Sequence, residues 1–215
     1  MTLDSLRTTF VFITEPFVNL FDGLKVSANT ISMASLVCAA IAGCAYLFSF
    51  PNQQFILAAA LLFVLLNGLL DGMDGALARK NGTTSKYGDF LDHVIDRYAD
   101  IFMICGIFLG GYLRPDLGAV VIVGILMASY LGTQAQAVGI GRVYGGIMGR
   151  ADRMIIIVIA TCLQLVYPAE IGAYGIQFTI LGWGLLAIGI LSHVTAFQRI
   201  WHTRKQLLSG ENSKK

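Results

Sequence analysis

The chain has 215 residues, of which 56% are hydrophobic and only 13% are charged, and its formal net charge is +2. Soluble domains carry about 25% charged residues, so this composition excludes an ordinary soluble domain. A mean hydropathy of +0.70 indicates an integral membrane protein. A net charge this small gives no reason to expect nucleic acid as a partner.

The first segment, residues 3–21, places Leu3, Leu6, Phe10 and Ile13 near helical spacing. Its apolar residues follow one side of the predicted helix, which is typical of a helix that lies in the membrane interface without crossing it. We therefore predict an N-terminal interfacial amphipathic helix over residues 3–21.

Six apolar segments follow, and several reach roughly the 20 residues that a bilayer crossing requires. Short turns that contain Pro or Gly separate them. The pattern predicts an all-α integral membrane fold, with a six-helix core over residues 28–201 inside a single domain of residues 1–215. The predicted transmembrane helices cover residues 28–50, 53–79, 88–112, 117–140, 151–168 and 173–201.

Positive charge predicts the orientation of these helices. If the connections alternate between the two sides of the membrane, fourteen of the fifteen Lys and Arg residues fall on one side and Arg114 alone on the other. Basic connections stay in the cytoplasm. We expect a multi-pass protein of the cell membrane with both termini on the cytoplasmic side.

Four aspartates stand where the second predicted helix ends and the third begins. Asp71 and Asp74 are three residues apart, and Asp92 and Asp96 are four apart, so each pair shares one helix face. A tight turn joins the two helices, so the two acidic faces can meet.

Such a cluster is costly beside hydrocarbon, because one Asp at the centre of a membrane helix costs about 2.5–3.5 kcal/mol. A cation would offset this cost, and all-oxygen ligands fit a hard divalent ion such as Mg²⁺ or Mn²⁺. Two ions would fit four carboxylates and could hold a diphosphate. Ion pairs with Arg79 and Arg97 could offset the cost of one aspartate at a helix end, but they are a less fitting explanation for four aspartates at paired spacings. Asp89 and Asp100, near the same face, are interpreted as solvated or structural.

The pattern resembles the signature of the CDP-alcohol phosphotransferase family at every fixed position, which are Asp71, Asp74, Gly75, Ala78, Arg79, Gly88, Asp92 and Asp96. The resemblance implies six transmembrane helices around a polar cavity open to the cytoplasm, usually in a homodimer embedded among membrane lipids. It also implies transfer of a phosphatidyl-type group from a CDP-linked lipid to an alcohol, with release of CMP, in phospholipid biosynthesis.

The same resemblance assigns roles to individual residues. Asp71 and Asp74 would bind one metal ion, Asp92 would bridge two ions, and Asp96 would hold the second ion and act as the general base. Contacts to the CDP-lipid would come from Asn29, Thr30, Ile31, Ser32, Gly75, Arg79 and Ser85. His93, His193 and His202 show no ligand spacing and are assigned no role.

Three local patterns, at residues 96–100, 150–153 and 195–199, resemble the inositol-phosphate branch of the family. On that likeness Arg150, Arg153 and Arg199 would hold the phosphate of the acceptor. Bacterial members of the branch carry Lys-Ala-Arg-Ala-Glu in the fourth helix, where this chain has Gln-Ala-Gln-Ala-Val at residues 134–138. We therefore expect inositol phosphate as acceptor, with glycerol phosphate or another polar alcohol as the alternative, and CDP-diacylglycerol or CDP-archaeol as donor.

Two other classes of protein could also carry intramembrane aspartates. An intramembrane prenyltransferase holds a diphosphate through Mg²⁺, but its acidic motifs lie on well-separated segments. A cation transporter would place its carboxylates near the middle of the membrane on broken helices. Here the aspartates lie on consecutive helices at the basic end, which favours the phosphotransferase.

Overall fold

Helices dominate this computed structural model, which describes residues 14–51, 53–173 and 176–212. Helix α1 covers the described residues 14–23. The remaining elements in chain order are α2 (Ala28–Ser49), α3 (Gln54–Lys80), α4 (Lys86–Leu109), α5 (Pro115–Ala137), α6 (Arg150–Val166), β1 (Glu170–Ala173), β2 (Ile176–Thr179) and α7 (Ile180–Asn212). The predicted all-α class is thus confirmed, with the addition of one short hairpin.

That hairpin corrects the sixth predicted helix, which was expected to begin at residue 173. Strands β1 and β2 pair antiparallel there, with Glu170 opposite Thr179, and α7 starts only at Ile180. The hydroxyl of Thr179 accepts a hydrogen bond from the Gly182 amide at 2.9 Å and thereby caps the helix. A short apolar run before a long apolar helix has no periodicity that separates strand from helix, so the prediction was wrong for these residues.

Four helices are long and apolar enough to cross a membrane: α2, α3, α5 and the Ile180–Ser209 part of α7. The chain is therefore a membrane protein. Helix α4 falls outside this group because its first half carries several charged side chains, and α6 because it has 17 residues. The count of six spans consequently stays a prediction.

Helix α1 packs against the start of α2 and the last part of α3. Val18 is buried with Ile31, Met73 and Leu77, while Phe17 on the same helix is exposed. Residues 3–13 of the predicted interfacial helix lie outside the described residues. Its position at the membrane interface stays a prediction.

Glycines let α2 and α4 approach each other closely. A Cβ atom on Gly43 would lie 2.3 Å from the carbonyl oxygen of Phe102, and one on Gly106 would lie 2.2 Å from the carbonyl oxygen of Gly43. Small residues at such crossings allow backbones into van der Waals contact, which is how helices commonly associate in membranes. This crossing holds the second half of α4 against α2 and so sets the angle at which the aspartate-bearing start of α4 leaves it.

Candidate active site

All four predicted aspartates line one cavity of about 800 Å³ between the end of α3 and the start of α4. The turn between these helices is fixed by Ser85, whose hydroxyl accepts a hydrogen bond from the Gly88 amide at 3.0 Å and caps α4. Gly82, at φ +63°, supplies the left-handed backbone conformation in that turn. The predicted meeting of two acidic helix faces is therefore present in the fold.

Two of the carboxylates are deeply buried, since Asp74 is 7% exposed and Asp96 is 8% exposed. The Ser32 hydroxyl donates to Asp74 Oδ2 at 2.5 Å, and the Gly75 amide donates to Asp74 Oδ1 at 2.5 Å. These bonds fix the orientation of Asp74. They use one contact per oxygen and leave further lone pairs available towards the cavity.

The remaining carboxylate oxygens fit a divalent cation. Asp71 Oδ1 is buried and has no hydrogen-bond partner among the described residues. Asp96 Oδ1 touches the Arg150 guanidinium, but that contact lacks hydrogen-bond geometry. Buried carboxylate oxygens that lack hydrogen bonds are costly unless a cation compensates them. The donor set is all oxygen, which is the chemistry that Mg²⁺ and Mn²⁺ prefer.

His93 joins this cluster, although its sequence position suggested no role. One ligand atom each from Asp92, His93 and Asp96 lie within 4.8 Å of one another, so the three could hold a metal ion. His93 directly follows Asp92 in the chain, and this adjacency is the signal that spacing rules for ligands overlooked.

The three predicted acceptor arginines have different surroundings. Arg150 Nη1 donates to Asp71 Oδ2 at 2.5 Å, so its guanidinium lies among the aspartates. Arg153 pairs with Asp100 at 2.9 Å, with both side chains 5% exposed. Arg199 donates to backbone carbonyl oxygens, at 2.5 Å to Ala128 and at longer distances to the connection before α6. Of the three, the structure brings Arg150 into the cavity with the carboxylates.

Asp100 therefore forms a buried ion pair, which agrees with its interpretation as structural and not with a solvated carboxylate. Asp96 also receives a hydrogen bond from its neighbour Arg97, from Nη2 to Oδ2 at 3.1 Å. Arg97 and Arg150 thus approach the same carboxylate from two helices.

Five of the seven predicted CDP-lipid contacts line the aspartate cavity, namely Asn29, Ser32, Gly75, Arg79 and Ser85. Thr30 instead pairs with Ser27 at the N-terminus of α2, with 2.8 Å between the hydroxyl oxygens. Ile31 is buried against Met73 and Leu77. A Cβ atom on Gly75 would lie 3.2 Å from Arg79 Nη1, so the absence of a side chain there leaves room for that guanidinium.

The cavity wall also includes residues from the end of α1 and from the connection to α2 that the sequence did not single out. Asp22 and Lys25 belong to this wall. Lys80 Nζ lies 2.7 Å from Asp22 Oδ2, and this hydrogen bond lowers the pKa of the Asp22 carboxyl. The pair ties α1 to the end of α3. The cavity therefore has a wall formed by all four of the first helices.

Known proteins resemble this chain in sequence and in fold. The model of the CDP-alcohol phosphatidyltransferase family matches residues 25–195. The archaetidylinositol phosphate synthase of Pyrococcus horikoshii is 36% identical over 187 residues, which are 87% of this chain and 88% of that protein. Both the family match and this relative extend well beyond the aspartate motif.

The fold is similar to that of the Mycobacterium tuberculosis phosphatidylinositol phosphate synthase. Its structure with CDP-DAG bound has a TM-score of 0.72 at 22% identity and covers 89% of this chain and 93% of that one. Its complex with manganese and citrate has a TM-score of 0.69, also at 22% identity, over 88% of each chain. On the family match and the 36% identical relative, this membrane-embedded transferase of phospholipid biosynthesis belongs to the CDP-alcohol phosphatidyltransferase family.

Proposed function

We propose that the chain transfers a phosphatidyl-type group from a CDP-linked lipid, CDP-diacylglycerol or CDP-archaeol, to inositol phosphate and releases CMP. The observation that carries this proposal is the single cavity that collects four aspartates, five predicted CDP-lipid contacts and Arg150. The relatives named for inositol phosphate products support this choice of acceptor. Family membership removes the prenyltransferase and the cation transporter from consideration.

Asp71, Asp74, Asp92 and Asp96 are the proposed ligands of two divalent ions, Mg²⁺ or Mn²⁺. Bound there, the ions would neutralise the diphosphate of the donor and the charge that develops on the leaving CMP. Two observations support this assignment: Asp71 Oδ1 has no hydrogen-bond partner in the part of the chain that the structure describes, and the structural relative has a complex with manganese.

Asp96 is the proposed general base. Its buried carboxylate lies on the cavity wall, where it would accept the proton of the acceptor hydroxyl. The hydroxyl oxygen then forms a bond to the lipid-side phosphorus, while the bond from that phosphorus to the bridging oxygen breaks and CMP leaves with the electron pair. A positioned base contributes typically about 10²–10⁴-fold to such a rate.

The donor is proposed to bind along α2 and the end of α3. Arg79 and the backbone N–H groups at the start of α2 offer hydrogen-bond donors to the nucleotide and its phosphates. The N-terminus of a helix also favours anions. Asn29, Ser32, Gly75 and Ser85 complete this wall, while Thr30 and Ile31 would act by shaping the start of α2.

The acceptor phosphate is proposed to bind Arg150 directly, and Arg153 and Arg199 are proposed to support this site. Guanidinium groups match phosphate oxygens in two-point hydrogen bonds. Arg153 and Arg199 already bond Asp100 and backbone carbonyls, so their contribution would include holding α6 and the preceding connection in place.

The proposed arrangement is one domain over residues 1–215, with six membrane spans that include α4 and α6, in a homodimer of the plasma membrane. The basic side chains near the aspartate cavity support a cytoplasmic active site, and with an even number of spans both termini lie on that side.

One assay tests the reaction. Purified protein in detergent, with Mg²⁺ and CDP-diacylglycerol or CDP-archaeol, is given inositol phosphate, glycerol phosphate or unphosphorylated inositol, and CMP is measured. We expect CMP release that depends on inositol phosphate and stops when EDTA is added. Equal release with every alcohol, or none with any, would refute the acceptor assignment.

A further inference from the structure

A second cavity, of about 670 Å³, lies between the connection from α5 to α6 and the end of α7, and we name it the loop cavity. Its wall combines residues 140–147 with Gln198, His202 and Gln206. No carboxylate of the aspartate cluster borders it. Arg142 is the cationic side chain on its wall within the described part of the chain.

Arg142 has no acidic partner among the described residues. No carboxylate in residues 14–51, 53–173 or 176–212 forms an ion pair with it, whereas Arg97, Arg150 and Arg153 each pair with an aspartate. Its guanidinium meets the His93 ring, with 3.3 Å between Nη2 and Nδ1 and a second contact from Nη1 to Nε2. A neutral imidazole accepts only one hydrogen bond, so most of the five N–H donors of Arg142 are left for another ligand.

Arg142 lies between the loop cavity and the aspartate cluster. His93 Nδ1 lies 4.0 Å from Asp92 Oδ2, so Arg142 stands one side chain away from the aspartate cluster while it borders the loop cavity. Its guanidinium also lies over the Tyr144 ring, 4.8 Å from the ring centroid. An anion on the loop-cavity side of Arg142 would therefore be close to the aspartate face of α4.

The connection that carries Arg142 is anchored at one end. Met148 and Ile147 donate backbone hydrogen bonds to Thr195 and Gln198 of α7, at 2.9 Å and 3.2 Å. Before Arg142, Gly139 and Gly141 have φ angles of +84° and +90°, a conformation that side chains disfavour. Arg142 is thus presented by a glycine-shaped turn on a segment that α7 holds in place.

We propose that Arg142 is a further contact to the phosphate of the acceptor, in addition to Arg150, and so determines specificity for a phosphorylated alcohol. The phosphate would lie at the Arg142 guanidinium, on the loop-cavity wall, and the alcohol would extend towards the aspartate cavity, where Asp96 accepts the proton of its hydroxyl. This inference rests on the proposed function. A planar guanidinium with free donors fits a phosphate dianion. Gln198, His202 and Gln206 border the same cavity and supply uncharged hydrogen-bonding groups for the remaining oxygens of the phosphate.

Steady-state kinetics of Arg142→Gln, Arg142→Lys and the control Arg204→Gln test the proposal. Arg204 is also a basic residue with its guanidinium over an aromatic ring, that of Trp201, but it does not border the loop cavity. We expect Arg142→Gln to raise the KM for inositol phosphate about tenfold, the size of one hydrogen bond between charged groups. The KM for the CDP-lipid and kcat should stay near the wild-type values, Arg142→Lys should recover part of the loss, and Arg204→Gln should behave as the wild type.

A binding experiment tests Arg142 independently of turnover. Inorganic phosphate is titrated into each protein in EDTA, and the concentration that gives half of the rise in melting temperature is measured. Arg142→Gln should require about tenfold more phosphate than Arg204→Gln. An unchanged phosphate midpoint, or an equal rise in both KM values, would overturn the proposal. A wild-type protein that releases no CMP with inositol phosphate would refute the proposed function alone, because the phosphate midpoint would still decide on Arg142.

Discussion

Arg150, at the start of α6, donates a hydrogen bond to Asp71, at the end of α3, with 2.5 Å between Nη1 and Oδ2. The same nitrogen contacts Asp96 on α4, so one guanidinium group reaches carboxylates of two helices. Its Nε is buried without a hydrogen-bond partner in the described residues. Arg150 therefore compensates part of the acidic charge through a single nitrogen and leaves Asp71 Oδ1 for another cation.

This shared use of Asp71 and Asp96 predicts how metal affects stability. Removal of the guanidinium in Arg150→Gln leaves the carboxylates to repel one another, so we expect a lower melting temperature in EDTA than in the wild type. A divalent ion would replace the lost positive charge, so Mn²⁺ should raise the melting temperature of Arg150→Gln more than that of the wild type. Melting followed by tryptophan fluorescence, with and without Mn²⁺, measures both shifts.

Arg114→Gln is the matched control, because Arg114 pairs with Asp116 in an exposed ion pair away from the cavity. Its response to Mn²⁺ should equal that of the wild type. If Arg150→Gln gained no more from Mn²⁺ than Arg114→Gln, the guanidinium and the metal would not share carboxylates.

Asp96→Asn tests the proposed base. The amide keeps the size of the side chain but cannot accept a proton at neutral pH, so kcat should fall by about 10²–10⁴-fold. Binding of the CDP-lipid, measured by its protection against thermal unfolding, should remain. Asp89→Asn serves as the control, since Asp89 is more exposed and its carboxylate lies 3.6 Å from His93. A similar fall in kcat for both variants would contradict a special role for Asp96.

The aspartate cluster could be predicted from the sequence because helix geometry alone places residues three and four apart on one face. Because the turn between α3 and α4 is short, it brings these two faces next to each other. Five of the predicted spans coincide with helices for a similar local reason, since turn residues such as Gly and Pro mark where each mainly apolar segment begins and ends.

Contacts between distant segments could not be predicted in this way. Arg142 meets His93 across 49 residues, and Arg150 meets Asp71 across 79. Such pairs depend on how α6 packs against α3 and on the path of the connection from α5 to α6 beside α4, which no local pattern encodes. The hairpin before α7 was missed for a different reason, because its two strands have four residues each, too few for a periodicity that separates strand from helix.

Arg153→Met tests whether the ion pair with Asp100 is structural. Both side chains are almost fully buried, so loss of one partner leaves an uncompensated charge that costs about 3–5 kcal/mol. The double variant Arg153→Met with Asp100→Leu removes both charges and should recover most of this loss. Chemical unfolding measures the free energies, in EDTA and in Mn²⁺, and the loss should be the same in both. A single variant as stable as the wild type would show that the pair does not hold α6 against α4.

The crossing of α2 and α4 at Gly43 leaves no room for a side chain. In Gly43→Ala the added methyl group would lie 2.3 Å from the carbonyl oxygen of Phe102, a backbone atom that cannot move without the helix. Overpacking of this kind costs about 1–3 kcal/mol, and here it pushes the second half of α4 away from α2 and so tilts the helix that carries Asp92 and Asp96. We expect Gly43→Ala to lower both the melting temperature and the Mn²⁺-induced rise, because Asp92 and Asp96 move relative to Asp71. Gly68→Ala, whose methyl would find only Met154 Cε at 3.6 Å, should change neither quantity, and equal effects of the two variants would refute the role of this crossing in placing the aspartates.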